Sequence, residues 1–331
     1  MGHLTHEYGQ GMTREDLPAL DDRRVLLTGA TGFLGRHVLR ALRLAGAAVC
    51  ATHLPSEHPQ FESGVSGISL DITDHDALRT LLAELQPDTI VHCAAHMGSE
   101  RSYAFAETAM RVNFLATHSM LLAAGDGIAG LRRIVLIGSA EEYGDATEFP
   151  LHEDMPARPV SPYSASKAAV TQSAMLYHTL FGLPVTVLRP FIIYGPEQAP
   201  WMMLPQLIRH AHDGRDFPMT PGEQTRDFVY VEDVARAILL AIAVEEASGQ
   251  IFNICSGEER SIRSVAEETV RLMGNPVRLD IGALPYRSNE AMRLVGSNDK
   301  ARRILGWTSR IPFDEGLVRT IDWYRRNGFG E

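Results

Sequence analysis

The sequence predicts an α/β fold, a doubly wound parallel sheet followed by a smaller, mixed α/β lobe. Three observations carry that expectation. From Arg24 onward, short Val/Ile/Leu-rich runs alternate with longer stretches of helical spacing, the pattern of a parallel sheet covered on both faces. A glycine-rich turn, Gly29–Gly35, joins the first such run to the first helical stretch. After Tyr194 the rhythm loosens, prolines accumulate (Pro196, Pro200, Pro205, Pro218, Pro221), and the segments shorten.

Taken in order, the strands expected are Val25–Leu27, Ala47–Ala51, Gly67–Leu70, Thr89–Cys93, Arg133–Ile137 and Pro184–Leu188. Each is too short for a helix and rich in residues that suit a buried strand. Between them, apolar residues at helical spacing predict helices over Phe33–Leu44, Asp74–Leu85, Arg101–Ala124 and Ser164–Phe181. Residues 1–22 read as a polar tail outside the fold. Residues 23–190 read as the sheet domain, and 191–331 mainly as a second lobe with some segments returning to the first.

Composition narrows the class. At 331 residues, 45% hydrophobic and 22% charged, the chain is ordinary globular material. Its longest apolar run, Ala237–Val244, is far below the roughly 18 residues needed to span a bilayer, and the N-terminus lacks the apolar centre of a secretory signal. Three cysteines (Cys50, Cys93, Cys255) on strand-like segments argue for a reducing compartment, so a cytoplasmic location is expected. With 31 basic against 41 acidic residues, the net charge of −10 argues against nucleic acid. An anionic ligand would be held by a few placed arginines and backbone amides instead. None of the 13 histidines falls at metal-ligand spacing, and no metal is expected.

The turn Thr28-Gly-Ala-Thr-Gly-Phe-Leu-Gly35 follows a strand and opens a helix, which lets a pyrophosphate approach backbone amides at a helix N-terminus. This predicts a nicotinamide dinucleotide, NADP or NAD. The second strand ends on Thr52-His53 with no carboxylate for the adenosine ribose, and Arg36 follows the third glycine, so the expectation tilts toward NADP. Asp71, past the third strand, is expected to accept from the adenine amine. Ser139 lies just beyond a strand's carboxyl end, where open α/β sheets bind ligands. Tyr163 and Lys167 sit four apart at the start of a helix, on one face. An ammonium there is expected to lower the phenol's pKa, making Tyr163 an acid–base group with Ser139 beside the same substrate oxygen.

These motifs, with RVNFLAT around Asn113, GSAEEYG at 138–144, PVSPYSASK at 159–167, LRPFIIYGPEQ at 188–198 and QTRDFVYVEDVA at 224–235, resemble the extended short-chain dehydrogenases/reductases that modify nucleotide sugars. The resemblance runs from about Arg24 to Tyr324 and implies a Rossmann sheet with a substrate lobe. It implies a nucleotide-diphosphate sugar as substrate, with Ser139, Tyr163, Lys167 and Glu141 catalytic. It further implies cofactor contacts from Gly29, Thr31, Gly32, Phe33, Leu34, Gly35, Arg36, Asp71, Ile72, Ala94, Ala95, Asn113, Tyr163, Lys167 and Pro190. Ser139, Ala140, Arg226 and Arg287 are implied on the substrate side, the two arginines at its diphosphate.

The family includes 4-epimerases, 4,6-dehydratases, 4-ketoreductases and a UDP-glucuronate decarboxylase. Dehydratases acting on dTDP-glucose carry Asp-Glu in the slots of Ala140 and Glu141, and Ala140 has no proton to give. The stretch GSAEEYG is most similar to the 4-keto-6-deoxymannose reductases, which puts a 4-ketoreductase first, then an epimerase, then a dehydratase or decarboxylase. An isoleucine, Ile192, stands where the family usually has asparagine. The resemblance also implies a homodimer through helices Arg101–Ala124 and Pro162–Phe181. A dinucleotide-sensing protein without chemistry is the reading from another class. Such a protein would be expected to have lost Tyr163 or Lys167.

Overall fold

The computed structural model describes residues 11–274 and 277–329. Its large sheet contains β1 (Arg24–Thr28), β2 (Ala48–His53), β3 (Val65–Ser69), β4 (Thr89–His92), β5 (Arg133–Ile137), β6 (Val185–Pro190) and β7 (Gln250–Ile254). All pairings are parallel, in the order β3-β2-β1-β4-β5-β6-β7. Between β1 and β4 the order reverses, and the crevice at that switch point is where a doubly wound sheet takes its ligand.

Successive strand residues point to opposite faces. Val25, Leu27, Val91 and Val135 pack under helices α1 (Phe33–Leu44) and α7 (Val231–Ala243). Leu26, Ile90, Ile134 and Leu136 pack under α2 (His75–Leu85), α4 (Ala116–Gly127) and α5 (Pro162–Phe181). Because both faces are covered, the strands read as unbroken apolar runs rather than as alternation. Helix starts follow local chemistry: Asp74 caps α2 by accepting from the Ala77 amide at 3.0 Å, and Ser161 caps α5 with Pro162 in the first turn.

Three features depart from the sequence reading. Arg101–Ala124 is not one regular helix: α3 (Tyr103–Ala109) passes into a π turn, Met110–Leu115, before α4. The wider turn carries Asn113 inward, which spacing alone does not show. Strand β7 was not anticipated, because Asn253 interrupts its apolar run; with α7 it returns to the sheet half. Within the stretch read as a polar tail, Leu17 and Leu20 are buried against α1, and residues 1–10 lie outside the described residues.

The second lobe is built from short pairs: Ile192–Tyr194 with Phe228–Tyr230, Phe217–Met219 with Leu279–Ile281, and Thr225–Arg226 between Arg260–Ser261 and Arg293–Leu294. Helices α6 (Met203–His212), α8 (Ile262–Met273) and α9 (Phe313–Asn327) close around Tyr194, Phe228, Tyr230, Phe313 and Leu317. Among the described residues no helix is long and apolar enough to cross a membrane.

Candidate active site

The glycine turn fits a dinucleotide on steric grounds. Gly29 has φ +68°, and a Cβ there would stand 2.6 Å from the Ala94 amide nitrogen. A Cβ on Gly35 would stand 2.0 Å from the Gly29 carbonyl oxygen, so the first turn of α1 can lie against the loop only as glycine. At Gly32, the N-cap of α1, the nearest atom to a Cβ is Gly29 O at 3.4 Å, which leaves the outer side of the helix N-terminus open to an anion. Phe33, Leu34 and Arg36 complete that turn. Ala94 and Ala95 follow β4, Ile72 is buried past β3, and Pro190 ends β6, all beyond carboxyl ends of sheet strands.

Some residues of this rim have other partners. Asn113 accepts from the His96 amide at 2.7 Å and donates to His96 O at 3.0 Å and Ser166 Oγ at 2.9 Å. It is buried with both amide hydrogens used, so it ties the loop after β4 to α5. Asp71 accepts from the Thr73 amide at 2.9 Å and hydroxyl at 2.8 Å, and these bonds hold its carboxyl below the usual range. Arg36, expected near a 2′-phosphate, instead lies 3.6 Å from Glu197, which Arg40 holds at 2.5 Å. Thr31 gives its hydroxyl to Glu57 Oε2 at 2.7 Å, a partner not foreseen from the sequence.

Ser139, Tyr163 and Lys167, the residues expected to share acid–base work, lie near one another. Ser139 caps a short turn, Ala140–Tyr143, and lies close enough to the Tyr163 phenol to pull its pKa downward. Lys167 Nζ donates to Ile137 O at 2.8 Å and lies 5.9 Å from the centre of the Tyr163 ring. It is a buried ammonium with three donors and one carbonyl partner, a fit for ribose hydroxyls. Burial pushes Lys167 down to about 8, against the pull of Glu142 and Cys93. The expected lowering of Tyr163 is not seen. Burial raises its phenol, and the Glu141 carboxylate raises it further, with the Ser139 bond opposing. The lysine is turned to the strand end, so desolvation of the phenol dominates.

Behind the serine lies a charge pair absent from the sequence reading. Glu142 Oε1 accepts the Ser139 amide at 2.9 Å, and its Oε2 meets Arg189 Nη2 at 2.9 Å; both side chains are essentially fully buried. Arg189 also covers the Tyr143 ring at 4.7 Å, and Tyr143 donates to Asn253 Oδ1 at 2.7 Å. This network ties the serine turn to β6 and β7. The signal available was the run Glu-Glu-Tyr-Gly itself, whose two glutamates point opposite ways, Glu141 into the site and Glu142 into the core.

Glu141 and Tyr163 open onto a cavity of about 500 Å³ reaching into the second lobe. Met97, Ile192, Trp201, Met203, Phe217 and Met219 are among the residues that line it. Arg226 and Arg287 both line it. Arg226 is buried and paired with Glu290 at 2.5 Å, whereas Arg287 is exposed. Burial raises the Glu141 carboxyl, against the attraction of those two arginines. Ala140 is buried beneath the same turn and brings no donor.

A strand-to-helix glycine cradle, a Ser/Tyr/Lys group beyond the strand ends and an adjoining cavity with two arginines are features of the short-chain dehydrogenase/reductase type. Residues 25–255 match the NAD dependent epimerase/dehydratase family, and the chain belongs to that family. It is 31% identical over 322 residues to a trifunctional UDP-glucose 4,6-dehydratase/UDP-4-keto-6-deoxy-D-glucose 3,5-epimerase/UDP-4-keto-L-rhamnose-reductase of Arabidopsis thaliana. That match takes in 92% of this chain but 47% of the plant protein, so the chain spans about half the length of that relative. It is 30% identical to a UDP-glucose 4-epimerase of Mycolicibacterium smegmatis, covering 91% of this chain and 98% of that one. In structure it is similar to the dTDP-glucose 4,6-dehydratase DesIV of Streptomyces venezuelae, solved with NAD bound, at TM-score 0.83 and 30% identity. The superposition covers 92% of this chain and 97% of DesIV.

Proposed function

We propose that this enzyme reduces the 4-keto group of a nucleotide-diphosphate sugar, or runs that reaction in reverse. The observation that carries the reading is the shared cavity: Tyr163 and Glu141 line it next to the Ser139 turn, and Arg226 and Arg287 line the same space. A sugar held by its diphosphate at the arginines would put its ring at the tyrosine. Relatives and structural neighbours whose names specify nucleotide-sugar substrates support that class.

When bound, the nicotinamide supplies or takes the hydride at sugar C4. Tyr163 gives the proton to the C4 oxygen during reduction, or takes it during oxidation, and Ser139 hydrogen-bonds the same oxygen. Lys167, fixed by Ile137 O, places a positive charge beside the ring of Tyr163 and favours the phenolate left behind. Arg226 and Arg287 hold the diphosphate, which requires Arg226 to exchange Glu290 for phosphate oxygens. Ala140 supports reduction over dehydration, because eliminating water calls for an acid beside Glu141 and Ala140 supplies none.

A 4-epimerase is the second reading, favoured by the same alanine and by the epimerase among the relatives. The test incubates the enzyme with NDP-4-keto-6-deoxy sugars and reduced nicotinamide. Stoichiometric loss of the reduced cofactor supports the reductase. Conversion of an NDP-hexose to its C4 epimer with no net cofactor turnover overturns it in favour of the epimerase. The family resemblance supports a homodimer, with exposed Leu115, Leu122, Leu176 and Leu180 on α4, α5 and the preceding turn as the apolar face.

A further inference from the structure

We propose that Glu57, carried by the loop between β2 and β3, selects the dinucleotide: its carboxylate takes the adenosine-ribose hydroxyls of NAD and repels the 2′-phosphate of NADP. The inference rests on the dinucleotide reading of the glycine turn and on nothing about the sugar.

Folds of this class usually carry an acidic residue at the end of the second strand, where it binds those hydroxyls. Here that strand ends on Thr52 and His53. The loop beyond it turns back. Glu57 Oε2 accepts the Thr31 hydroxyl at 2.7 Å and the Leu54 amide at 3.0 Å. Thr31 lies between Gly29 and Gly32, so the carboxylate is fastened directly onto the pyrophosphate cradle, beyond the carboxyl end of β2. Both bonds fall on Oε2. Oε1 has no partner among the described residues, and Glu57 is only half-buried, so this oxygen is open to a ligand. The result is a carboxylate from a loop doing the work that the strand end does not.

The surrounding cations are already committed. Arg36 and Arg40 lie against Glu197, and Arg43 lies against Glu62 and donates to Ser63 O at 3.1 Å. His53 has its Nδ1 on Leu54 O at 2.9 Å. A 2′-phosphate would therefore meet the Glu57 carboxylate where every guanidinium of α1 is already paired, and like charges at contact distance oppose binding. Ribose hydroxyls donating to the same oxygen make charge-assisted hydrogen bonds. The tilt toward NADP read from the strand end and from Arg36 is reversed by these two sets of contacts.

The experiment titrates NAD and NADP, without sugar, into the full chain and its Glu57→Gln variant by calorimetry, with thermal unfolding to check the fold. Wild type should bind NAD more tightly. Glu57→Gln should lower the NAD-to-NADP affinity ratio about tenfold, as expected for losing one charged hydrogen bond and one repulsion. A variant that weakens both dinucleotides equally would show that Glu57 only braces the loop, and the proposal fails. Wild-type protein binding NADP as tightly as NAD overturns it without any variant. If neither dinucleotide binds, the reading of the glycine turn fails first.

Discussion

The two halves of the molecule hold their functional groups differently. In the sheet half, Gly29, Ser139, Tyr163 and Lys167 sit at strand ends or in a helix's first turns, and hydrogen bonds set them before any ligand arrives. In the second lobe the strands are two or three residues long, and Arg226 is held by Glu290, 64 positions away. Chemistry common to a family can rest on the regular sheet. Choice of substrate can be rebuilt in loops whose pairings change without disturbing it.

The sharpest way to break this contrast is Tyr163→Phe. Turnover should fall about 10²- to 10⁴-fold while dinucleotide affinity stays put. Calorimetry beside a turnover assay checks it, and full activity in the variant would remove Tyr163 from the chemistry. Gly35→Ala should do the opposite, weakening dinucleotide binding on the order of 10- to 100-fold, because the new methyl meets the Gly29 carbonyl backbone. Arg226→Gln should confine its damage to the sugar side. KM for the nucleotide sugar should rise about tenfold with a smaller change in kcat and none in dinucleotide affinity.

Two effects of pH sharpen the picture of the sheet half. Lys167, with its pKa pushed down to about 8, is charged below that pH and neutral above it. The rate that depends on its ammonium should therefore fall as pH rises through about 8, visible in kcat/KM; a profile flat to pH 10 contradicts this. His92 is buried between Thr28 and Thr117, and burial takes its pKa from 6.5 to about 3. The unfolded chain binds that proton and the folded chain does not, so stability is full above 6.5 and lost as pH falls below it. Between pH 7 and 5 the loss from this residue is about 2 kcal/mol. Denaturant titrations should show a shallower decline for His92→Asn than for wild type.

Legibility followed the same division. β1, β2, β4, β5 and β6, α1, α2 and α5 lie within a few residues of their expected positions, because apolar runs and helical spacing are local signals. The placement of the glycine turn, Ser139, Tyr163 and Lys167 at strand ends and in the first turns of a helix was legible for the same reason. What escaped depends on contacts distant in sequence. The Glu142–Arg189 pair spans 47 positions, the π turn at Asn113 answers to His96 and Ser166, and Glu57 reads as a loop residue until Thr31 is beside it. Arg226 and Arg287 could be named from the sequence, but Glu290, the carboxylate that holds Arg226, could not. The lowering of Tyr163 by Lys167 failed as an expectation because spacing gives proximity and says nothing of desolvation.

The most direct test of the central claim follows the hydride. The enzyme is given an NDP-4-keto-6-deoxy sugar with nicotinamide cofactor deuterated at its transferable position, and the product is examined by mass spectrometry and NMR. One deuterium at C4 of the sugar, in a product that Tyr163→Phe forms about 10²- to 10⁴-fold more slowly, is the result expected. A reduced product without deuterium at C4, or labelled product formed at the same rate by the variant, would contradict the assignment of hydride transfer to C4 and of the proton to Tyr163.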